Sequence, residues 1–264
     1  MENKDTVNKA LELFKKGEYK AATDEFYAAL AENPDDNAIL NNLGLCYSKL
    51  ADDEKAESFY LQALQQDNTA VATYINLTDL YYKQRRLEEA AALLENAATL
   101  IPDNIVLLHY LARVYIEDVK YDMAFDMLNR ILEISPENID AYWDLGNLCY
   151  ETGDYTNAAS AFEHVLEKRD DNAIFFYRTG LAYEACDEID KALSNYLKAI
   201  AADNFMAQPY KKAAVMFMAQ GDKESAKEYL EDYLKFDLPQ EEKDDINEII
   251  KRLQKNEWFF KIYW

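Results

Sequence analysis

One small residue recurs at a fixed interval along nearly the whole chain. Counting from Asn3 in steps of 34 residues, position 20 falls on Ala22, Ala56, Ala90, Ala124, Ala158, Ala192 and Ala226. Seven periods run from 3 to 240 with no insertion or deletion. Self-similarity at such an interval marks a repeat architecture, in which each unit buries its apolar face only by stacking on its neighbours.

The other columns predict helical hairpins. Position 8 is small or short: Ala10, Gly44, Thr78, Ala112, Gly146, Gly180, Ala214. Position 11 carries Leu13, Tyr47, Tyr81, Tyr115, Cys149, Tyr183 and Phe217. Position 24 is large throughout: Phe26, Tyr60, Leu94, Leu128, Phe162, Tyr196, Leu230. Apolar residues recur three and four apart within each half-repeat, the period of an amphipathic helix. Small residues at 8 and 20 are expected to let two helices approach closely, with the side chains at 11 and 24 filling the groove against the next hairpin. Every glycine sits at position 8 or 15, and all five prolines fall at helix ends, where the missing N–H costs least. None is left to build a phosphate cradle or a strained nucleophile turn.

This pattern resembles the tetratricopeptide repeat. The stretch from Ile139 carries it most fully, with Trp143, Leu145, Gly146, Gly153, Tyr155, Ala158 and Phe162. Leu43–Gly44 and Leu145–Gly146 match the family's leucine–glycine pair, Gly17, Gly153 and Gly221 its turn glycine, and Pro34, Pro102 and Pro136 its terminal proline. The chain departs from it at Thr78, where glycine is usual, and at Asn68, Asp170 and Asn204, where proline is usual. The resemblance implies an all-α fold, a right-handed α-α superhelix, with repeats at 3–36, 37–70, 71–104, 105–138, 139–172, 173–206 and 207–240. Residues 241–264 are then a capping helix and an aromatic tail, since Ile246, Ile249, Ile250 and Leu253 form one stripe on a charged helix.

Charge and motif content narrow the function. Fifty acidic residues face 28 basic ones, a net charge of −22. That opposes binding to nucleic acid or to an anionic membrane, which both need a cationic footprint. No apolar run is long enough to span a bilayer. The N-terminal MENKDTVNKALELF has no apolar core of a secretory signal. Cys46, Cys149 and Cys186 are scattered without a CxxC pair, so neither a disulfide framework nor a zinc cluster is expected. Cytoplasmic residence is the expectation. Nucleotide, zincin and hydrolase motifs are absent. The two histidines, His109 and His164, lie in different repeats. We therefore expect no catalytic residues, no metal and no cofactor.

The family resemblance implies that first helices line a concave wall that takes an extended peptide. Positions 2, 5, 6, 9, 12 and 13 share one helical face. Across the repeats they hold eight cations (Lys4, Lys15, Lys49, Lys83, Arg113, Arg178, Lys211, Lys212) against six acids (Asp79, Glu117, Asp140, Asp144, Glu151, Glu184). The wall thus suggests a mixed or acidic ligand despite the acidic whole, unless its composition is merely average. In the first three repeats Asn8, Asn42 and Asn76 repeat at position 6, and Lys15, Lys49 and Lys83 at position 13. A row of carboxamides can donate to and accept from successive peptide units, although asparagine there is also common in the family. Farther on, His109, Tyr110, Arg113, Trp143, Asn147, Tyr150, Tyr177 and Arg178 supply the residue types of binding hot spots, or else pack on the next helix. The carboxylate clamp of some relatives is not supplied; the nearest set is Trp143, Asn147, Arg178, Gln208 and Lys212.

Last, Trp258-Phe259-Phe260-Lys261-Ile262-Tyr263-Trp264 either folds onto the cap or serves self-association into a homo-oligomer. The expected function is a non-catalytic scaffold that binds extended segments of partner proteins along its wall. The alternative is a structural protein that assembles through this tail.

Overall fold

The computed structural model describes residues 2–255; the aromatic tail at Trp258–Trp264 lies outside the described residues. All regular structure among them is helical. The chain divides into two compact units, one ending at Glu137 and one beginning at Asn138.

The first unit holds α1 (Glu2–Lys15), α2 (Tyr19–Glu32), α3 (Asn37–Lys49), α4 (Asp53–Gln66), α5 (Val71–Lys83), α6 (Leu87–Leu100), α7 (Ile105–Glu117) and α8 (Tyr121–Ile134). Within it, consecutive helices from α1 to α8 pack on one another. In addition α3 touches α5 and α5 touches α7, which makes the odd-numbered helices an inner layer. The second unit holds α9 (Ile139–Glu151), α10 (Tyr155–Lys168), α11 (Ala173–Ala185), α12 (Ile189–Ala202), α13 (Gln208–Gln220), α14 (Lys223–Tyr233) and α15 (Gln240–Gln254). Here too consecutive helices pack in sequence, and Ile246, Ile250 and Leu253 of α15 join a core with Met218, Leu230 and Tyr233.

The position-20 alanines explain themselves: all seven have 0% exposure. The glycines at position 8 have a more specific cause than close approach alone. A Cβ on Gly44 would stand 2.5 Å from the Tyr60 ring, on Gly146 2.6 Å from Phe162, and on Gly180 2.6 Å from Tyr196. Position 24 therefore fills the seam of its own hairpin, and Phe26 also shares a core with Ile39, Leu43 and Cys46 of the next. Where position 8 is Thr78, Ala112 or Ala214, position 24 shrinks to Leu94, Leu128 or Leu230; Ala10 opposite Phe26 is the exception.

Position 11 makes the contact between hairpins, and it does so with its hydroxyl. Tyr81 donates to Glu57 at 2.9 Å and Tyr115 to Glu95 at 2.6 Å; Tyr183 donates to Glu163, and the Tyr47 and Tyr27 hydroxyls share a bond at 3.0 Å. Burial is the main cause that pushes the Tyr81 hydroxyl up to about 12, with Glu57 adding to it.

The turn after each first helix is left-handed in all seven hairpins. Gly17, Gly153 and Gly221 hold φ of 81°, 84° and 81°; Ala51, Arg85, Val119 and Asp187 hold 59°, 61°, 59° and 64°. The following amide closes the helix end on the carbonyl five residues back, as in Asp52 to Tyr47 (3.0 Å) and Asp154 to Cys149 (2.8 Å). Asp36, Asn104, Asn138 and Asn172 cap the N-termini of α3, α7, α9 and α11 with their side-chain oxygens.

Candidate functional site

The inner helices present their polar face to solvent because their apolar stripe is consumed by the hairpin seam. On the first unit, Asn8 of α1 is exposed and Asn42 of α3 half-buried, and neither makes a side-chain hydrogen bond among the described residues. Asn76 of α5 differs: its Nδ2 donates to Oδ1 of Asn41 at 2.9 Å. The row of three is thus two accessible carboxamides and one tied to the neighbouring helix. Lys49 is exposed without an ion pair among the described residues. Lys83 pairs with Asp53 at 3.2 Å, an acid in the first turn of α4.

On α7, His109 is half-buried and Arg113 exposed. The Arg113 guanidinium lies 5.6 Å from the Tyr110 ring centroid. Asp79 of α5 is its acidic neighbour; burial raises that carboxyl's pKa and Arg113 partly opposes the rise. Glu117, at the end of α7, accepts from the Tyr82 hydroxyl at 2.9 Å and from the Arg85 guanidinium. These two donors hold Glu117 below the usual carboxylate range.

On the second unit, Trp143 of α9 is half-buried. Its ring packs 5.3 Å from Phe162 and 4.8 Å from Phe175, so it is as much a packing residue as a wall residue. Asn147 donates from Nδ2 to the Trp143 carbonyl at 2.8 Å. The Tyr177 ring of α11 lies 5.9 Å from that of Tyr196, tilted by 45°. Burial raises the Tyr150 and Tyr177 hydroxyls, and the Arg178 guanidinium is near enough to both to oppose that rise. Arg178 is half-buried and makes no ion pair among the described residues. Glu184, one helical face away on α11, accepts from Lys212 of α13 at 2.8 Å and from the Tyr196 hydroxyl.

The wall charges read from the sequence are therefore reduced in the fold. Lys83, Lys211 and Lys212 are each bonded to an acid: Asp53, Glu242 and Glu184. Two of these carboxylates, Asp53 and Glu242, lie outside the six wall columns, on a second helix and on α15; Glu184 is itself a wall acid. A Lys–Asp separation of 30 residues in a 34-residue repeat is the signal that could have found the first. His164 sits on the outer helix α10 and stacks on Tyr142 at 4.5 Å. Cys46 and Cys149 are buried in first helices; Cys186 is half-buried at the end of α11. No group of metal-ligating side chains occurs among the described residues, and no helix there is long and apolar enough to cross a membrane.

Three family models, each described as tetratricopeptide repeat, match residues 7–71, 71–101 and 117–177, together more than half of the chain. The chain belongs to the tetratricopeptide repeat family. It is similar to BBSome complex member BBS4 of Bos taurus, at 31% identity over 156 residues, 59% of this chain and 30% of that protein. It thus spans about a third of that curated relative's length. Among solved structures, the C-terminal part of a repeat-containing protein from Cytophaga hutchinsonii superposes with a TM-score of 0.76 at 18% identity, covering 91% of this chain and 98% of that one. A second, YrrB, described as a tetratricopeptide repeat protein with an unusual peptide-binding site, gives 0.56 at 27% identity, covering 68% of this chain and 92% of that one. The all-α tetratricopeptide fold is thereby shown, and the family supports the coarse role of a protein-interaction scaffold.

Proposed function

We propose that this tetratricopeptide repeat protein is a non-catalytic scaffold that holds extended segments of partner proteins on the inner faces of its two units. Seven repeats over 3–240, capped by α15, would supply those faces. The observation that carries the reading is the group on α9 and α11: Tyr150, Tyr177 and Arg178 come together half-buried, with the arginine's charge unspent. Tyrosine and arginine give large contact area at low entropic cost and dominate binding hot spots. Asn8 and Asn42 on the first unit offer backbone-directed carboxamides. The likeness to YrrB, itself described as peptide-binding, supports the same use. Three free cysteines suit a reducing cytoplasm.

The test is capture of partners from lysate on the immobilised full chain, compared with two charge reversals. Lys49→Glu with Arg178→Glu on the inner helices should abolish capture, while Lys20→Glu with Lys198→Glu on second helices should leave it intact. Equal loss in both, or in neither, overturns the inner-face reading. Capture of only the chain itself would favour self-association through the tail instead.

A further inference from the structure

We propose that the inner faces select acidic segments, with ligand carboxylates anchored on Arg178 in the second unit and on Arg113 in the first. This deepens the inner-face reading and rests on it. A net charge of −22 would suggest the opposite, a basic partner. Exposed charges are screened beyond about 8 Å at physiological ionic strength, however, so the groups that touch the ligand decide its chemistry.

Those groups are sorted by the fold in one direction. Each unit places an acid near its arginine and then occupies that acid from within. Glu184 takes Lys212 and the Tyr196 hydroxyl. Glu117 takes Arg85 and the Tyr82 hydroxyl. Neither carboxylate needs a ligand cation. Neither arginine forms an ion pair among the described residues: Arg113 lies over the Tyr110 ring, and Arg178, next in the chain to Tyr177, is near enough to the Tyr150 and Tyr177 hydroxyls for its charge to act on them. The same assembly of arginine, tyrosines and pre-engaged glutamate thus arises twice, from different repeat positions and different partners.

The remaining wall acids are Asp79, Asp140, Asp144 and Glu151, of which Asp144 lies mid-way along α9. Asp79 balances Arg113 through space without an ion pair between them, and Asp140 and Glu151 sit at the two ends of α9. A guanidinium can meet a carboxylate with two parallel hydrogen bonds, and half-buried Arg178 gains more from one than exposed Arg113 does. A ligand lysine at the same place would meet like charge and find the nearby glutamate occupied.

The full chain is to be titrated by fluorescence anisotropy with pools of fluorescein-labelled degenerate peptides whose fixed positions are glutamate, glutamine, lysine or phosphoserine. The glutamate pool should bind roughly tenfold more tightly than the glutamine pool, the size of one charge-assisted hydrogen bond, and the lysine pool more weakly than both. Arg113→Gln with Arg178→Gln should erase the difference between glutamate and glutamine. Arg113→Lys with Arg178→Lys should restore part of it, and carries the test should the glutamine variant fail to unfold cooperatively by circular dichroism. Equal binding of glutamate and glutamine pools, tighter binding of lysine, or an acid preference that survives loss of both arginines overturns this proposal while inner-face binding stands. Binding by the phosphoserine pool alone replaces carboxylate by phosphate and equally overturns it. Binding by no pool overturns both readings.

Discussion

The hairpin seam and the inner wall share the first helices, the seam adding the second helix of each hairpin, yet they obey different rules. In the seam, Ala22 through Ala226 repeat without exception, and the size of position 24 follows the size of position 8 within three of the four non-glycine hairpins. On the wall, almost no column repeats beyond the first unit: carboxamides and lysines at Asn8, Asn42 and Lys49 give way to Trp143, Tyr150, Tyr177 and Arg178. A close-packed interior feels every methylene, whereas a solvated face tolerates most changes at little cost in stability. One backbone can therefore carry two dissimilar faces, and stability reports on the seam while recognition reports on the wall.

The sharpest way to stress this contrast is alkali. Burial lifts the hydroxyls of Tyr81 and Tyr233 to about 12, and those of the seam tyrosines Tyr60 and Tyr196 higher still. A folded-state pKa above the unfolded value near 10 means that the folded chain holds its protons longer. The resulting stability is complete below pH 10 and is lost as pH rises through 12. Tyrosinate absorbance and far-UV circular dichroism should change together across that window. Full titration of the seam tyrosines with helicity intact would break the contrast.

Next in size, Gly146→Ala should destabilise by about 1–3 kcal/mol in urea unfolding, because its methyl enters the space of Phe162. Adding Phe162→Leu should recover part of that loss, as the chain itself pairs Ala112 with Leu128. Additive losses would mean that the two positions do not share one volume. A smaller effect of opposite sign is expected at the turn. Val119 is a β-branched residue at φ 59° and 66% exposed, so Val119→Gly should stabilise by about 0.5–1 kcal/mol after glycine's own entropy cost. An unchanged or lower urea midpoint would contradict it. Smallest of all, Lys83→Met removes an exposed ion pair with Asp53 and should shift stability by no more than about 0.5 kcal/mol. A larger shift would show that the wall also bears on folding.

The seam was legible in the sequence because it is periodic and local. Alanine at position 20, small residues at position 8 and glycine at three of the seven turns all speak for hairpins. The four remaining turns, at Ala51, Arg85, Val119 and Asp187, take the same left-handed geometry without the residue that signals it, since the hydrogen-bonded helix end imposes it. The tyrosine column at position 11 was legible as bulk, but not as hydroxyls reaching Glu57, Glu95 and Glu163. On the wall the residue types could be named, and their state could not. Trp143 lies against Phe162 and Phe175, Asn76 is held by Asn41, and Lys83, Lys211 and Lys212 are neutralised in place.

The amino-acid sequence by itself determined that this chain folds as stacked helical hairpins, because apolar period, breaker positions and seam volumes all agree on that one solution. Only the tertiary structure decided which wall charges are spent and which remain. Ion pairing and hydroxyl bonding depend on groups brought together from 12 to 35 residues apart in the chain, and a count of residue types at wall positions contains nothing about which partner each side chain reaches.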